Sequence, residues 1–424
     1  MNVEKDGRKR KVFKSLRLVC LVSVSYLYLA SGGSDSLLGQ GGRIVLGTIE
    51  AELKKKQVPL DFGKTPKSLT PLVAKAVSLH GGLRLARPEQ SRYSASFVPL
   101  GGSQLKLEIS RGYPGEPKQP LKSLVVEGSS IDGAVLKGCD HMVEQILGIP
   151  GFFSGKLCYL SNVSGSKEIF VANSLMSKAQ PHTSFKKITF NASWDNGGSG
   201  IFFTSNRKVF NNIYHLDLAS RRISTIANYR GSNLRAVQNP RNSGVAMILS
   251  TSGNPELWLA PNPRSKPKRI TRNKSNESGP CWSSDGRRMI LTSDSRGKPQ
   301  LYEVSLSSGL LTRIPTNVSS HCTEASWNPA DPTRIAFTAA VGGGFQIYEY
   351  SFSTRQSKPL TGGGNHAMQS CWANDGRHLF FTERSSSGST RLMILDTELK
   401  GARPVPLHGK NFGNCSQASF HYPR

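Results

Sequence analysis

Acidic residues are scarce in this chain of 424 residues: 28 Asp and Glu stand against 55 Lys and Arg, and the formal net charge is +27. Such an excess favours anionic partners, such as nucleic acid, phospholipid or lipopolysaccharide surfaces, and acidic proteins. The sequence contains no dense basic helix interleaved with aromatic residues, so a nucleic-acid-binding role is not the preferred interpretation. A solvated basic surface is the commoner meaning of a charge excess.

Catalytic and metal-binding patterns are also missing. The sequence holds no H-E-x-x-H, C-x-x-C, P-loop or G-x-S-x-G pattern, and no G-x-G-x-x-G after a strand. The nine histidines are scattered. His321 is next to Cys322, but neighbours on a strand point to opposite faces and cannot easily share a metal ion. We therefore expect a protein that is not an enzyme and that has no cofactor or metal ion.

The N-terminus lacks an apolar run long enough to cross a membrane with confidence. A basic head is followed by an apolar run from Leu18 to Ala30 and by small residues at 31–33. A run of about 13 apolar residues in this order is typical of a secretory signal peptide. We predict that residues 1–32 are a signal peptide, with an uncleaved anchor as the alternative.

A repeated phrase runs through residues 190–424. Each copy has an aromatic residue, a polar turn and an apolar run that usually ends in Thr, and in one worn copy Val237 replaces the aromatic residue. The starting positions are separated by 43, 45, 45, 45 and 48 residues. They are Trp194, Val237, Trp282, Trp327, Trp372 and Phe420. A period near 45 with short alternating apolar segments is typical of the four-stranded blades of a β-propeller. An ordinary β-sandwich is the alternative.

The last copy has room for one strand before the sequence stops at Arg424. Its missing strands are predicted upstream, at 156–160 and 168–172, with 187–189 as the outer strand. The C-terminal strand would then complete the first blade and remove an open sheet edge. Residues 151–424 are thus predicted to form an all-β, six-bladed β-propeller closed by the C-terminal strand.

Residues 33–150 are predicted to be an N-terminal α/β domain with a flexible arm. Helices are expected at 72–79 and from a cap at Asp132, and strands at 104–109 and 124–126. Six cysteines follow the predicted signal peptide, and several hold equivalent places in non-adjacent repeats, too far apart for disulfides. We interpret them mostly as small buried apolar residues.

The junction from Leu147 to Phe153, the W-x-x-D-G turns and the truncated last repeat resemble the TolB family. This resemblance implies a periplasmic protein-binding component of the Tol-Pal system, which supports outer-membrane integrity and envelope invagination during cell division. The implied partners are the lipoprotein Pal, bound by the propeller, and TolA, reached by the arm at Arg43, Ile44, Val45 and Leu46. Other outer-membrane proteins are further candidates. A monomer is expected, without nucleic acid and at most peripheral to a membrane.

The predicted Pal site lies in the loops that lead into the innermost strands, because these loops converge on one mouth of a propeller channel. The loop Ser275–Pro280 resembles the family's S-N-N-T-E-P sequence, whereas Gly231 and Leu234 depart from the family pattern. Arg230, Arg235 and His366 are expected to place charge and donors on the rim. The full set is Arg230, Leu234, Arg235, Asn276, Glu277, Ser278, His321, Glu324, Asn365, His366 and Gln369. Turn residues shaped by the blades alone are the alternative.

Two other functions remain open. The chain could be an exported propeller adaptor with another partner, or a propeller relative of prolyl-oligopeptidase-type peptidases that lacks their hydrolase domain. The peptidase is disfavoured because no nucleophile elbow precedes the propeller and no hydrolase-sized segment follows it in this sequence.

Overall fold

The structure, a computed structural model, describes residues 57–423. The predicted signal peptide at 1–32 and the predicted arm residues Arg43–Leu46 lie outside the described residues. The domain limits 1–32, 33–150 and 151–424 stay predictions. Within the described range, no helix is both long and apolar enough to cross a membrane.

A five-stranded mixed sheet with two helices precedes the repeats. Strand β1 lies parallel to β2 and β3, while β3, β4 and β5 pair antiparallel in the order β2-β1-β3-β4-β5. The bounds are β1 Val58–Asp61, α1 Thr70–His80, β2 Leu83–Leu85, a 3-10 turn Pro88–Gln90, β3 Tyr93–Gly101, β4 Gln104–Arg111, β5 Gln119–Glu127 and α2 Ile131–Leu147.

The cap of α2 corrects the sequence prediction. The Ser130 hydroxyl, not Asp132, accepts the N–H of Gly133 at 3.2 Å. Ser130 has the extended backbone that a capping residue requires, whereas Asp132 already lies in the first turn. There Asp132 still favours the helix, since its charge faces the positive end of the helix dipole. It also pairs with Lys178 at 2.5 Å.

Six four-stranded antiparallel sheets follow within the described residues, and each is one blade. In chain order the strands are β6 Lys156–Ser161, β7 Glu168–Asn173, β8 Ala179–Pro181, β9 Thr189–Trp194, β10 Gly200–Lys208, β11 Phe210–Asp217, β12 Ile223–Ala227, β13 Asn233–Gln238, β14 Val245–Leu249, β15 Glu256–Ala260, β16 Lys268–Arg269, β17 Glu277–Trp282, β18 Met289–Ser293, β19 Gln300–Val304, β20 Leu311–Arg313, β21 Cys322–Trp327, β22 Arg334–Val341, β23 Gly344–Ser351, β24 Gln356–Pro359, β25 His366–Trp372, β26 His378–Arg384, β27 Thr390–Asp396, β28 Val405–Pro406 and β29 Cys415–His421, with a 3-10 turn at Lys410–Phe412 before β29.

The C-terminal strand closes the ring, as predicted. Strand β29 pairs antiparallel with β6, so that Phe420 lies opposite Leu157 in a sheet ordered β29-β6-β7-β8. The ring of Phe420 occupies the space beside Gly155, where an added Cβ would come within 2.2 Å of it. The first blade is therefore built from both ends of the repeat region.

The outer strand of this blade was predicted at 187–189, and that prediction is wrong. Strand β8 at Ala179–Pro181 occupies the edge, and Thr189 begins β9 of the next blade. Pro181 has no N–H to donate, which suits a short edge strand that must not pair with another molecule.

The repeated tryptophans join neighbouring blades. The indole N–H of Trp372 donates to the Ser326 carbonyl at 3.1 Å, and that of Trp282 donates to the Val237 carbonyl at 3.3 Å. Trp194 reaches Ser419 of the closing strand at 2.9 Å in the same way. The aromatic residue that marks each repeat is therefore a packing residue between sheets.

One apolar cluster continues from the N-terminal sheet and helices into the propeller. It includes Val73 and Val135 on the two helices, and Phe152, Tyr159 and Phe380 on the propeller side. All five side chains are fully buried. The N-terminal part is thus seated on the blades where the ring closes.

Candidate functional site

The six innermost strands, β9, β13, β17, β21, β25 and β29, contact one another around the ring and enclose a central channel. Its cavity has a volume of about 650 Å³. All innermost strands run in the same direction, so the loops that lead into them lie at one end of the channel. We call this end the channel mouth.

Bulges turn polar side chains into the channel near its mouth. In five innermost strands, the residue three positions before the repeated aromatic has a positive φ of 55–57°. The strand pairing shifts register at the same places. Such a bulge re-aims a side chain out of the regular alternation. These residues, which we call the bulge ring, are Asn191, Gly279, Glu324, Gln369 and Gln417, and all line the channel.

Threonines that end three of the repeated phrases, Thr292, Thr338 and Thr382, accept hydrogen bonds from N–H groups of the bulge ring. The Gln369 N–H donates to the Thr338 hydroxyl at 3.3 Å, and the Gln417 N–H donates to the Thr382 hydroxyl at 3.1 Å. Thr338 in turn donates to the Glu324 carboxylate at 2.9 Å. A bulge leaves backbone groups outside the strand ladder, so these hydroxyls supply partners that the buried groups need.

Three of the predicted site residues meet in the channel wall: Arg235, Glu324 and Gln369. Arg235 was expected on the rim, but it lies inside the channel, because the pairing of β13 shifts between Asn233 and Arg235. The Gln369 N–H donates to the Glu324 carboxylate at 3.0 Å, which links two blades at this depth.

Four other predicted residues, Arg230, Asn276, Ser278 and Asn365, are exposed in or beside the loops of the mouth. The Asn276 amide is oriented by Asp294, to which it donates at 2.7 Å. The predicted residues that remain free to touch a partner here are small or polar.

His321 and His366 are half-buried on either side of Phe345. The ring centroids are 5.6 Å and 5.9 Å from that of Phe345. The His366 ring also accepts the Phe345 N–H at 3.2 Å. The aromatic contacts thus fix both imidazoles at the start of neighbouring blades.

Glu277 is turned away from solvent, and Leu234 is half-buried. Glu277 is 1% exposed and accepts hydrogen bonds from Thr271 at 3.0 Å and Ser293 at 3.1 Å. Leu234 packs between blades, and its carbonyl accepts from Asn191 at 2.9 Å. Because a buried side chain cannot contact a docked protein, the structure gives Glu277 a role in shaping the mouth.

Asn191 and Gln417, which were not predicted from the sequence, share the bulge ring with Glu324 and Gln369. The Asn191 N–H donates to the Gln417 side chain at 2.7 Å. The sequence carried a signal for both residues, since each lies three residues before a repeated aromatic residue.

Cys281 and Cys371 also line the channel, unlike the four fully buried thiols of Cys139, Cys158, Cys322 and Cys415.

A second buried polar cluster lies where the N-terminal part meets the propeller. Arg377 forms two hydrogen bonds with Asp396, at 2.8 Å and 2.6 Å. His378 contacts the Asp375 carboxylate through Nδ1 and the His80 carbonyl through Nε2, each at 2.6 Å. An added Cβ on Gly81 would come within 2.4 Å of Asp396, so only glycine lets the end of α1 approach so closely. We call these groups the junction cluster.

Both ring nitrogens of His378 face acceptors, so the geometry requires the doubly protonated imidazolium. Burial alone would lower the pKa of His378, but the charge and hydrogen bond of Asp375 and the charge of Asp396 together raise it. Burial, followed by the nearby charges of His378 and Arg377, lowers the pKa of His80 well below its ordinary value. His80 is thus held neutral beside a charged His378.

The described residues offer little that could perform catalysis. His378 and Asp375 form a close pair, but both side chains are fully buried and both imidazole nitrogens are occupied. The Ser199 hydroxyl donates to Asp195 and not to His215, which contacts the same carboxylate, so the three side chains lack the serine–imidazole contact of a catalytic triad. No group of three His, Cys, Asp or Glu residues between 57 and 423 could hold a metal ion.

Comparisons with known proteins give the same picture as the fold. Residues 143–322 match the TolB beta propeller domain. The Tol-Pal system protein TolB of Bordetella pertussis is 27% identical over 241 residues, 53% of this chain and 53% of the relative. The protein of the same name from Desulfosudis oleivorans is 28% identical over 177 residues, 41% of this chain and 40% of the relative. The chain thus spans about half the length, or less, of these curated relatives.

The crystal structure of TolB from Acinetobacter baumannii matches with a TM-score of 0.74 at 18% identity, covering 86% of this chain and 96% of that one. At 18% identity, this match supports the fold alone.

The described chain is a closed six-bladed β-propeller that carries a small mixed-sheet domain and presents a polar channel. The matching domain and the curated relatives support the TolB family for this chain. The relatives bear the name of a component of an assembly and not of an enzyme, in agreement with the prediction of a non-enzymatic protein.

Proposed function

We propose that the chain is a periplasmic, protein-binding component of a Tol-Pal system that supports outer-membrane integrity and envelope invagination during cell division. In this proposal the channel mouth binds the lipoprotein Pal. Residues 1–32 direct export, and the arm at Arg43–Leu46 reaches TolA. The names of the relatives support the assignment to this system.

The observation that carries the proposal is the form of the mouth. Loops from several blades lie together at this end of the channel, and the exposed residues there are small or polar, including Asn276, Ser278 and Asn365. Concave openings with a few fixed polar groups are common binding sites. Glu277 and the bulge ring hold the loops in place through bonds within and between the blades.

A bulky residue at Ser278 tests this site. The Ser278 side chain is exposed, so Ser278→Trp should leave the fold intact while its indole obstructs the mouth. We expect Pal from the same organism to bind at least about tenfold more weakly, or about 1.4 kcal/mol. Isothermal titration calorimetry with purified Pal measures the change, once equal melting temperatures have been established.

Ser307→Trp is the matched control. Ser307 is also an exposed serine in the same blade, but it follows β19 at the opposite end of the ring. The control should bind Pal like the parent protein. Equal loss of binding in both variants, or none in Ser278→Trp, would show that the partner docks elsewhere.

A further inference from the structure

Arg235 differs from the acidic residues that line the channel, because its guanidinium has no hydrogen-bond partner among the described residues. Within residues 57–423 its guanidinium forms no hydrogen bond and no ion pair, and its Nε atom is buried without a partner. Burial lowers the pKa of this guanidinium, and the nearby charge of Glu324 opposes that shift without forming an ion pair. Because the ordinary pKa of arginine lies far above neutral pH, Arg235 stays charged.

The acidic groups that line the same channel are already satisfied. Glu324 accepts hydrogen bonds from Thr338 at 2.9 Å and from the Gln369 N–H at 3.0 Å. Asp195 contacts His215 at 3.0 Å. The fold thus provides partners for the negative charges of the channel and none for the positive one.

The internal repeat shows that the fold does not need an arginine here. Arg235 lies two residues before Val237, the first residue of its repeat. In the other five blades, the residue at the same position directly follows the bulge-ring residue and is small or compact. These residues are Ala192, Pro280, Ala325, Ser370 and Ala418. A compact side chain is thus sufficient to build this part of a blade, and the third blade alone places a long cation in the channel.

A guanidinium with five free donors matches one kind of ligand especially well. Arginine binds carboxylates through two parallel hydrogen bonds, and such pairs are strongest where water is excluded. The channel volume of about 650 Å³ is large enough to admit a side chain from a docked protein. Arg235 shares the wall of this cavity with Gly279, which directly follows the exposed Ser278 of the mouth.

We propose that Arg235 binds a carboxylate of the protein partner, from an Asp or Glu side chain that enters the channel as the partner docks. This inference rests on the proposed function, because it assumes a protein at the mouth. It adds the chemistry of the group that is recognised and the residue that recognises it.

The test compares Arg235→Met with Arg264→Met in titrations with purified Pal. Methionine keeps an unbranched side chain and removes the charge. We expect Arg235→Met to bind at least about tenfold more weakly, with a smaller dependence on salt and no loss of melting temperature. Arg264 is exposed in the same blade, but it follows β15 at the opposite end of the ring, so Arg264→Met should change affinity by less than about threefold.

Arg235→Lys and Arg235→Gln complete the series. Lysine keeps the charge but not the planar fork, so its affinity should fall between those of the parent and Arg235→Gln. Unchanged binding in Arg235→Met and Arg235→Gln would overturn the inference and leave the proposed function standing. A lower melting temperature in both variants would also overturn it, because Arg235 would then have a structural role.

Sodium glutarate, a small dicarboxylate, tests the carboxylate site without assuming that Pal is the partner. If the parent does not bind Pal, the proposed function fails. Stabilisation of the parent but not of Arg235→Met by millimolar glutarate would then still support a carboxylate site in the channel. If neither Pal nor glutarate distinguishes the parent from Arg235→Met, the carboxylate site is wrong.

Discussion

Arg377 and Arg235 are both largely withdrawn from bulk water, yet their surroundings are opposite. Arg377 is 5% exposed and is held by the Asp396 carboxylate through two hydrogen bonds. Arg235 lines a channel with no partner for its guanidinium within the described residues. A buried charge with a partner fastens two parts of a fold, whereas one without a partner adds nothing to stability and indicates a binding role.

The largest expected effect belongs to the paired arginine. Arg377→Met leaves the Asp396 carboxylate buried without its partner, so the free energy of unfolding should fall by about 3–5 kcal/mol. Urea denaturation followed by circular dichroism measures this change. Replacing both partners, as in Arg377→Met with Asp396→Leu, should cost much less. A loss below about 1 kcal/mol in the single variant would remove the contrast between the two arginines.

His378→Gln should have the next largest effect, and the effect should depend on pH. The pKa of His378 is raised in the folded protein, so its contribution is fully present below the unfolded pKa of about 6.5. It is lost as pH rises through the folded pKa. The difference in unfolding free energy between parent and variant should be about 1.5–3 kcal/mol at pH 6 and smaller at pH 9.

The comparison with His378→Gln is needed because His80 titrates in the opposite sense. Its folded pKa is lowered, so its contribution is present above the unfolded pKa and is lost as pH falls. His80 is retained in both proteins, so the difference between parent and variant isolates His378 to a first approximation. A difference that grows with pH would show that His378 is neutral in the fold.

The smallest effect on stability should come from the unpaired arginine. Arg235→Met removes a partly desolvated charge and no internal bond, so unfolding free energy should be unchanged or higher by up to about 1 kcal/mol. The same urea experiment measures it beside Arg377→Met. A clear loss of stability would mean that Arg235 has an internal partner in solution.

The repeat made most of the fold predictable. Four tryptophans with similar spacing marked the innermost strands, and Phe420 marked the closing strand, because each blade must solve the same packing problem. The repeated Thr was visible as well, although its purpose as a partner for the bulge ring emerged only from the register shifts. Local signals repeated along the chain are thus strong evidence for architecture.

The site was less predictable because its features depend on contacts between distant residues. Glu277 seemed to face a partner, but Thr271 and Ser293 draw its carboxylate inward. The junction cluster brings His80 against His378, which lies 298 residues further along the chain. The pairing shift that brings Arg235 into the channel also has no sequence signal, because β13 is the worn copy of the repeat.

Hydrogen–deuterium exchange of the protein with and without Pal tests the central claim most directly, namely that the partner docks at the channel mouth. Bound Pal should slow exchange in the loops and first residues of the innermost strands, around 230–235, 276–279, 319–325 and 365–370. The turns at the opposite end, such as 195–199 and 283–287, should be unaffected. Protection confined to those turns or to the N-terminal sheet would contradict the account.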